Sequence, residues 1–80
     1  MTNRNLLKAK VYEKGMTLES VAKAIGMEPS TLSRKVGGKR ILKVDDVKDI
    51  ALTLGLSSEE MTAIFYPELV DKKSTRGDDV

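Results

Sequence analysis

The side chains with most to offer chemically lie between Ser30 and Lys43. Ser30, Thr31, Ser33 and Arg34 put three hydroxyls and a guanidinium close together. Hydroxyls donate and accept single hydrogen bonds, and a guanidinium presents a planar fork of donors, so the set suits the edges of planar acceptors. From Arg34 to Lys43 the chain carries Arg34, Lys35, Lys39, Arg40 and Lys43 with no acid among them. Such a run fits a polyanion, from which it releases counterions. Acids gather elsewhere, at Asp45, Asp46 and Asp49, then Glu59 and Glu60, then Asp78 and Asp79. Cysteine and histidine are both absent, which removes disulfides, thiolate chemistry, the usual zinc ligands and the commonest general base. The remaining carboxylates and hydroxyls show no nucleophile–base arrangement. The expectation is therefore no enzyme, no metal and no cofactor.

Two short helices joined by a tight turn must position these groups. Leu18, Val21, Ala22 and Ile25 fall at i, i+3, i+4 and i+7, one apolar stripe at helical period. Thr17 ahead of the stripe suits an N-cap, and Glu19 suits the positive end of the helix dipole. Gly26 suits a helix C-terminus, which commonly needs positive φ. Pro29 then opens a helix to about Val36, since its fixed φ helps at the first position and its missing N–H costs nothing there. Leu32 and Val36 define its inner face, which points Ser30, Thr31 and Arg34 outward with Ser33 and Lys35 on the flanks. Gly37-Gly38 stops it, and Lys39 and Arg40 follow in a loop. An outward polar face can be merely solvated; the basic loop that continues it favours a binding surface. This is the layout of a helix-turn-helix, a unit that places its second helix in the major groove of DNA.

Ala22, Gly26 and Leu32 stand at the relative spacing of the small, glycine and branched-aliphatic positions of the Cro/repressor-type (XRE-like) helix-turn-helix family. Thr17-Leu18-Glu19-Ser20-Val21-Ala22 resembles the opening of that family's second helix. The resemblance covers roughly residues 3 to 66, and the whole resembles small Cro-like and modulator-of-repression proteins of temperate phages. It implies an all-α, compact five-helix lambda-repressor-like DNA-binding domain with the helix-turn-helix at helices 2 and 3. Three positions depart from the family. Leu18 stands where a Gln usually bonds the DNA backbone or a neighbouring side chain, Glu28 where a Ser or Thr cap is usual, and Pro29 where a base-reading polar residue is common. Each removes a usual DNA contact, and Glu28 adds negative charge near the phosphates.

Residues 3 to 14 read as a first helix with Leu7 and Val11 inward, Leu6 at the edge, and Arg4, Lys8, Lys10 and Lys14 outside. Those cations are either a solvated face or include one or two phosphate contacts. Met16 is expected under the turn. Leu18 either completes the core stripe or lies exposed toward a protein partner. Ile41, Leu42 and Val44 either pin the loop to the core or join a subunit contact. A fourth helix starts at Asp45 or Asp46, where acids suit the dipole rather than a metal, and Val47, Ile50, Ala51 and Leu54 give the clearest stripe. Gly55 closes it. Ser57 with Glu60 offers a capping box for a fifth helix bearing Met61, Ile64 and Phe65, which Pro67 stops near Tyr66. Phe65 and Tyr66 either close the core or meet a second subunit.

Eighty residues, 40% hydrophobic and 32% charged with net charge +2, suit one small folded domain. Residues 1–70 are expected to form it and residues 71–80 a loose tail. No apolar run approaches the roughly 18 residues of a membrane span and no signal peptide is evident, so a cytosolic protein is expected, in a host cell if phage-encoded. The leading expectation is a sequence-specific regulator that binds double-stranded DNA as a possible homodimer. Ser30, Thr31, Ser33 and Arg34 would read bases, and Thr17, Lys35, Lys39, Arg40 and Lys43 would meet phosphates. The alternative is a modulator that binds a partner phage repressor, with Leu18, Pro29, Phe65 and Tyr66 as its possible protein interface. An antitoxin would share the same fold class.

Overall fold

Five helices in chain order make up most of residues 2–70, the part that the computed structural model describes: α1 Arg4–Glu13, α2 Leu18–Ala24, α3 Pro29–Val36, α4 Val44–Leu54 and α5 Ser58–Phe65. A further helical stretch occupies residues 67–70, and no strand occurs among the described residues. The architecture is the all-α one that the hydrophobic periods predict. The expected tail, residues 71–80, lies outside the described residues.

Each helix starts where the local chemistry provides for its free amides. Asn3 caps α1, its Oδ1 accepting from the Leu6 amide at 3.1 Å, while its own amide donates to the Ile64 carbonyl at 2.7 Å and ties the chain start to α5. Ser57 and Glu60 form the expected reciprocal box on α5, with bonds of 2.9 and 3.1 Å. Helix α4 begins a residue or two earlier than its acids suggest. Asp46 accepts from the Lys43 amide at 3.0 Å, which makes Lys43 the cap and Val44 the first helical residue. Pro67 ends α5 as expected but also opens the stretch at 67–70, a position where its missing amide is harmless.

The inward stripes meet in one core of Leu7, Val11, Val21, Ala22, Leu32, Val36, Val47, Ile50, Leu54, Ile64 and Phe65. Fully burying an aliphatic side chain of this kind contributes roughly 1.5–3 kcal/mol, so the core is what holds α2 and α3 in place. Leu6, Met16, Leu18, Ile25, Leu42, Met61 and Tyr66 pack around it, partly buried. Lys10 of α1 pairs with Glu60 of α5 and lies 3.3 Å from Glu13. The Lys10 ammonium, then the Ser57 amide, bring the Glu60 carboxyl down from 4.5 to about 2. This cation of α1, one of those that could have faced phosphate, serves to close the bundle instead.

Candidate nucleic-acid interface

Helix α2 sets the entry to the surface. Thr17 accepts from the Ser20 amide at 3.0 Å, and the Thr17 amide donates to Ser20 Oγ at 2.9 Å. The cap is the expected one; its reciprocal half comes from Ser20, which the usual signature, with Glu or Gln at that position, does not reveal. Thr17 is exposed, and its accepting hydroxyl still has a proton to donate. At the far end Gly26 takes φ +73°. The chain turns there, and the Met27 amide reaches back to the Ala22 carbonyl at 2.8 Å. Ala22 is fully buried where α2 packs on α3.

Pro29 occupies the first turn of α3, and Glu28 is its N-cap with no side-chain hydrogen bond. Leu32 and Val36 face the core. Ser30, Ser33 and Arg34 are exposed, while Thr31 is half-buried. The outward stripe is therefore Ser30, Ser33 and Arg34, with Thr31 at its edge, a rotation of the face expected from ideal helical angles. At the C-terminus Gly38 takes φ +86°, and the Lys39 amide donates back to the Arg34 carbonyl at 2.9 Å. This Schellman-type closure turns the backbone sharply out of the helix and starts the basic loop beside Arg34.

Lys39, Arg40 and Lys43 are exposed in or at the end of that loop. Lys35 is not among them. Its Nζ lies 2.8 Å from Asp46 Oδ2, and the two side chains are only 13% and 14% exposed. The same oxygen accepts from the Lys43 amide. The Lys35 ammonium, helped by that amide, holds the Asp46 carboxyl below its ordinary value against the opposing cost of burial. A charge count along the chain ranks Lys35 with the loop cations; only the fold shows that it faces an acid eleven positions away.

The apolar loop residues divide. Leu42 packs against the core, whereas Ile41 is 80% and Val44 66% exposed. Lys35, Lys39, Arg40, Leu42, Phe65 and Tyr66 help line a cleft of about 410 Å³ beside the loop. Of the residues considered for a protein interface, Leu18 and Pro29 are half-buried, Leu18 against the core, and Tyr66 is half-buried at the cleft. Phe65, at 3% exposure, closes the core, the first of the two roles its sequence position allows. Further exposed apolar side chains lie outside the stripes read from sequence, among them Tyr12 on α1, Leu52 on α4, and Leu69 and Val70 at the end of the described residues. No group of acids able to hold a metal occurs among the described residues, and none of their helices is long and apolar enough to cross a membrane.

Residues 6–64 match a family model described as a helix-turn-helix domain. No curated protein and no solved structure matches the chain significantly.

Proposed function

Because the chain belongs to the helix-turn-helix domain family, we propose that it is a sequence-specific DNA-binding regulator of the Cro type. Helix α3 enters the major groove. Arg34 reads a guanine through its O6 and N7 acceptors, a contact worth about 1–3 kcal/mol of discrimination. Ser30 and Ser33 lie on the same stripe and Thr31 at its edge, where short hydroxyls serve bases or nearby phosphates. Thr17, Lys39, Arg40 and Lys43 meet the backbone and set the register. Lys35 is left out of the phosphate set because Asp46 holds it. The observation that carries the reading is the continuity of an exposed Ser30–Ser33–Arg34 stripe with an exposed, acid-free basic loop. One such domain touches few base pairs, so the working species is a symmetric dimer on a palindrome. Its place of work is the cytosol, and binding rather than catalysis is its activity.

The test is a pair of substitutions read on the duplex that the protein itself selects. Arg34→Ala loses discrimination between that duplex and a scrambled one. Lys39→Ala weakens both alike and lowers the salt slope by about 0.9 per domain. Discrimination that survives Arg34→Ala removes α3 from the groove.

A second reading rests on Glu28. It is an exposed carboxylate at the end of α3 that would approach the DNA, and it caps nothing. A phage modulator that binds a repressor protein would tolerate that charge. Tight association with a repressor, together with weak and unselective DNA binding, would favour this reading.

A further inference from the structure

Five cations lie in the stretch from Arg34 to Lys43, yet one of them is withdrawn. Lys35 belongs to the last turn of α3 and Asp46 to the first turn of α4. Their charges meet at 2.8 Å with both side chains largely shielded. The same carboxylate oxygen takes the Lys43 amide at 3.0 Å. One acid thus holds the two ends of the loop that presents Lys39 and Arg40, and it does so next to Arg34.

Resting on the DNA-binding reading above, we propose that Asp46 is a specificity-determining residue of the interface. It acts by positioning. Its carboxylate keeps Lys35 off the phosphates and fixes the last turn of α3, and with it Arg34, against α4. A phosphate contact adds affinity for every sequence alike. A base contact discriminates only while its donor fork is held in register. Pairing Lys35 with Asp46 therefore gives up sequence-independent affinity and gains a fixed frame for the one side chain best suited to read a base.

Asp46→Asn separates these effects, because asparagine keeps an acceptor for the Lys43 amide and removes the charge that holds Lys35. The freed lysine reaches a phosphate, so affinity for scrambled duplex rises and its salt slope steepens by about 0.9 per domain. The preference for the selected duplex falls about fivefold, near the low end of what one mismatched base pair costs. If Asp46 were only a negative charge near DNA, both affinities would rise by one factor and the preference would stay constant; that result overturns the assignment. Lys35→Met provides a second arm should Asp46→Asn fold poorly. Its salt slope on scrambled duplex is expected to equal the wild-type slope, and a slope shallower by about 0.9 would place Lys35 on a phosphate in the wild type and overturn the assignment. A wild-type chain with no preferred duplex overturns the DNA reading and this assignment with it. A wild-type preference that Asp46→Asn retains overturns this assignment alone.

Discussion

Helix α3 begins without a side-chain cap, and this makes a gain of stability available from one substitution. Glu28 has φ −66° and ψ 135°, an extended conformation of the kind that caps adopt. The first bond of the helix ladder runs from the Leu32 amide to the Glu28 carbonyl at 3.0 Å. Pro29 has no amide to satisfy, so the Ser30 and Thr31 amides are the ones that a cap would serve. Glu28→Asp shortens the side chain by one methylene and brings the carboxylate within reach of those amides. The charge is unchanged, so the helix-dipole contribution and the repulsion from phosphates stay as they were. A good cap contributes typically about 1 kcal/mol, within a range of roughly 0.5–2. In a domain of this size 1 kcal/mol moves the midpoint of thermal unfolding by about 4–8 °C. The assay is thermal unfolding followed by circular dichroism, with urea unfolding alongside to show an unchanged m-value. Glu28→Ala is the control: it removes the charge from the positive end of the helix and supplies no cap, so its midpoint stays level or falls. A Glu28→Asp midpoint that stays at or below wild type would refute the reasoning, because the amides at the start of α3 would then need nothing from this position.

Leu32→Ala, at a side chain with no exposure, should cost about 2–5 kcal/mol, and chemical denaturation would measure it. A cost below about 1 kcal/mol would mean that α3 is not anchored through Leu32. Glu60 has its carboxyl lowered from 4.5 to about 2 in the folded chain. A lowered carboxylate contributes stability that is complete above its unfolded value and is lost as pH falls through its folded value. Stability should therefore decline from about pH 4.5 toward pH 2, and Glu60→Gln should flatten that part of the profile. An identical profile in the variant would place the acid sensitivity elsewhere. If exposed Lys39, Arg40 and Lys43 each meet a phosphate, the salt slope should be near −2.7 per domain, and a fourfold rise in salt should weaken binding roughly 40-fold. A slope near zero would take the loop off the phosphate backbone.

Much of the fold can be read from local pattern because local forces decide it. The Val47–Ile50–Ala51–Leu54 stripe, the Thr17 cap, the Ser57–Glu60 box and the positive φ of Gly26 each depend on residues within one or two turns. The exposed stripe on α3 is legible for the same reason, once Leu32 and Val36 fix its inner side. The misses share a different cause. That Lys35 meets Asp46, that Lys10 meets Glu60, and that Ile41 stays outside while Leu42 tucks in all depend on how distant helices are brought together. Periodicity says which face a residue occupies and not what stands opposite it. The early start of α4 has a local cause instead: Asp46 accepts from the Lys43 amide three positions ahead, as Glu60 does from Ser57, but Lys43 is not a residue type that marks a cap. Composition placed Lys35 among the loop cations, and only tertiary geometry withdraws it.

Whether α3 reads sequence is decided by the duplexes that the folded chain selects. Selection from random duplexes at near-physiological salt, followed by titration of the selected duplex against scrambled DNA, tests it most directly. A groove-reading α3 should select a palindromic duplex with guanine at the position facing Arg34, bound at least about a thousandfold more tightly than scrambled DNA. Folded protein that enriches no sequence, or binds selected and scrambled duplexes equally, would contradict it.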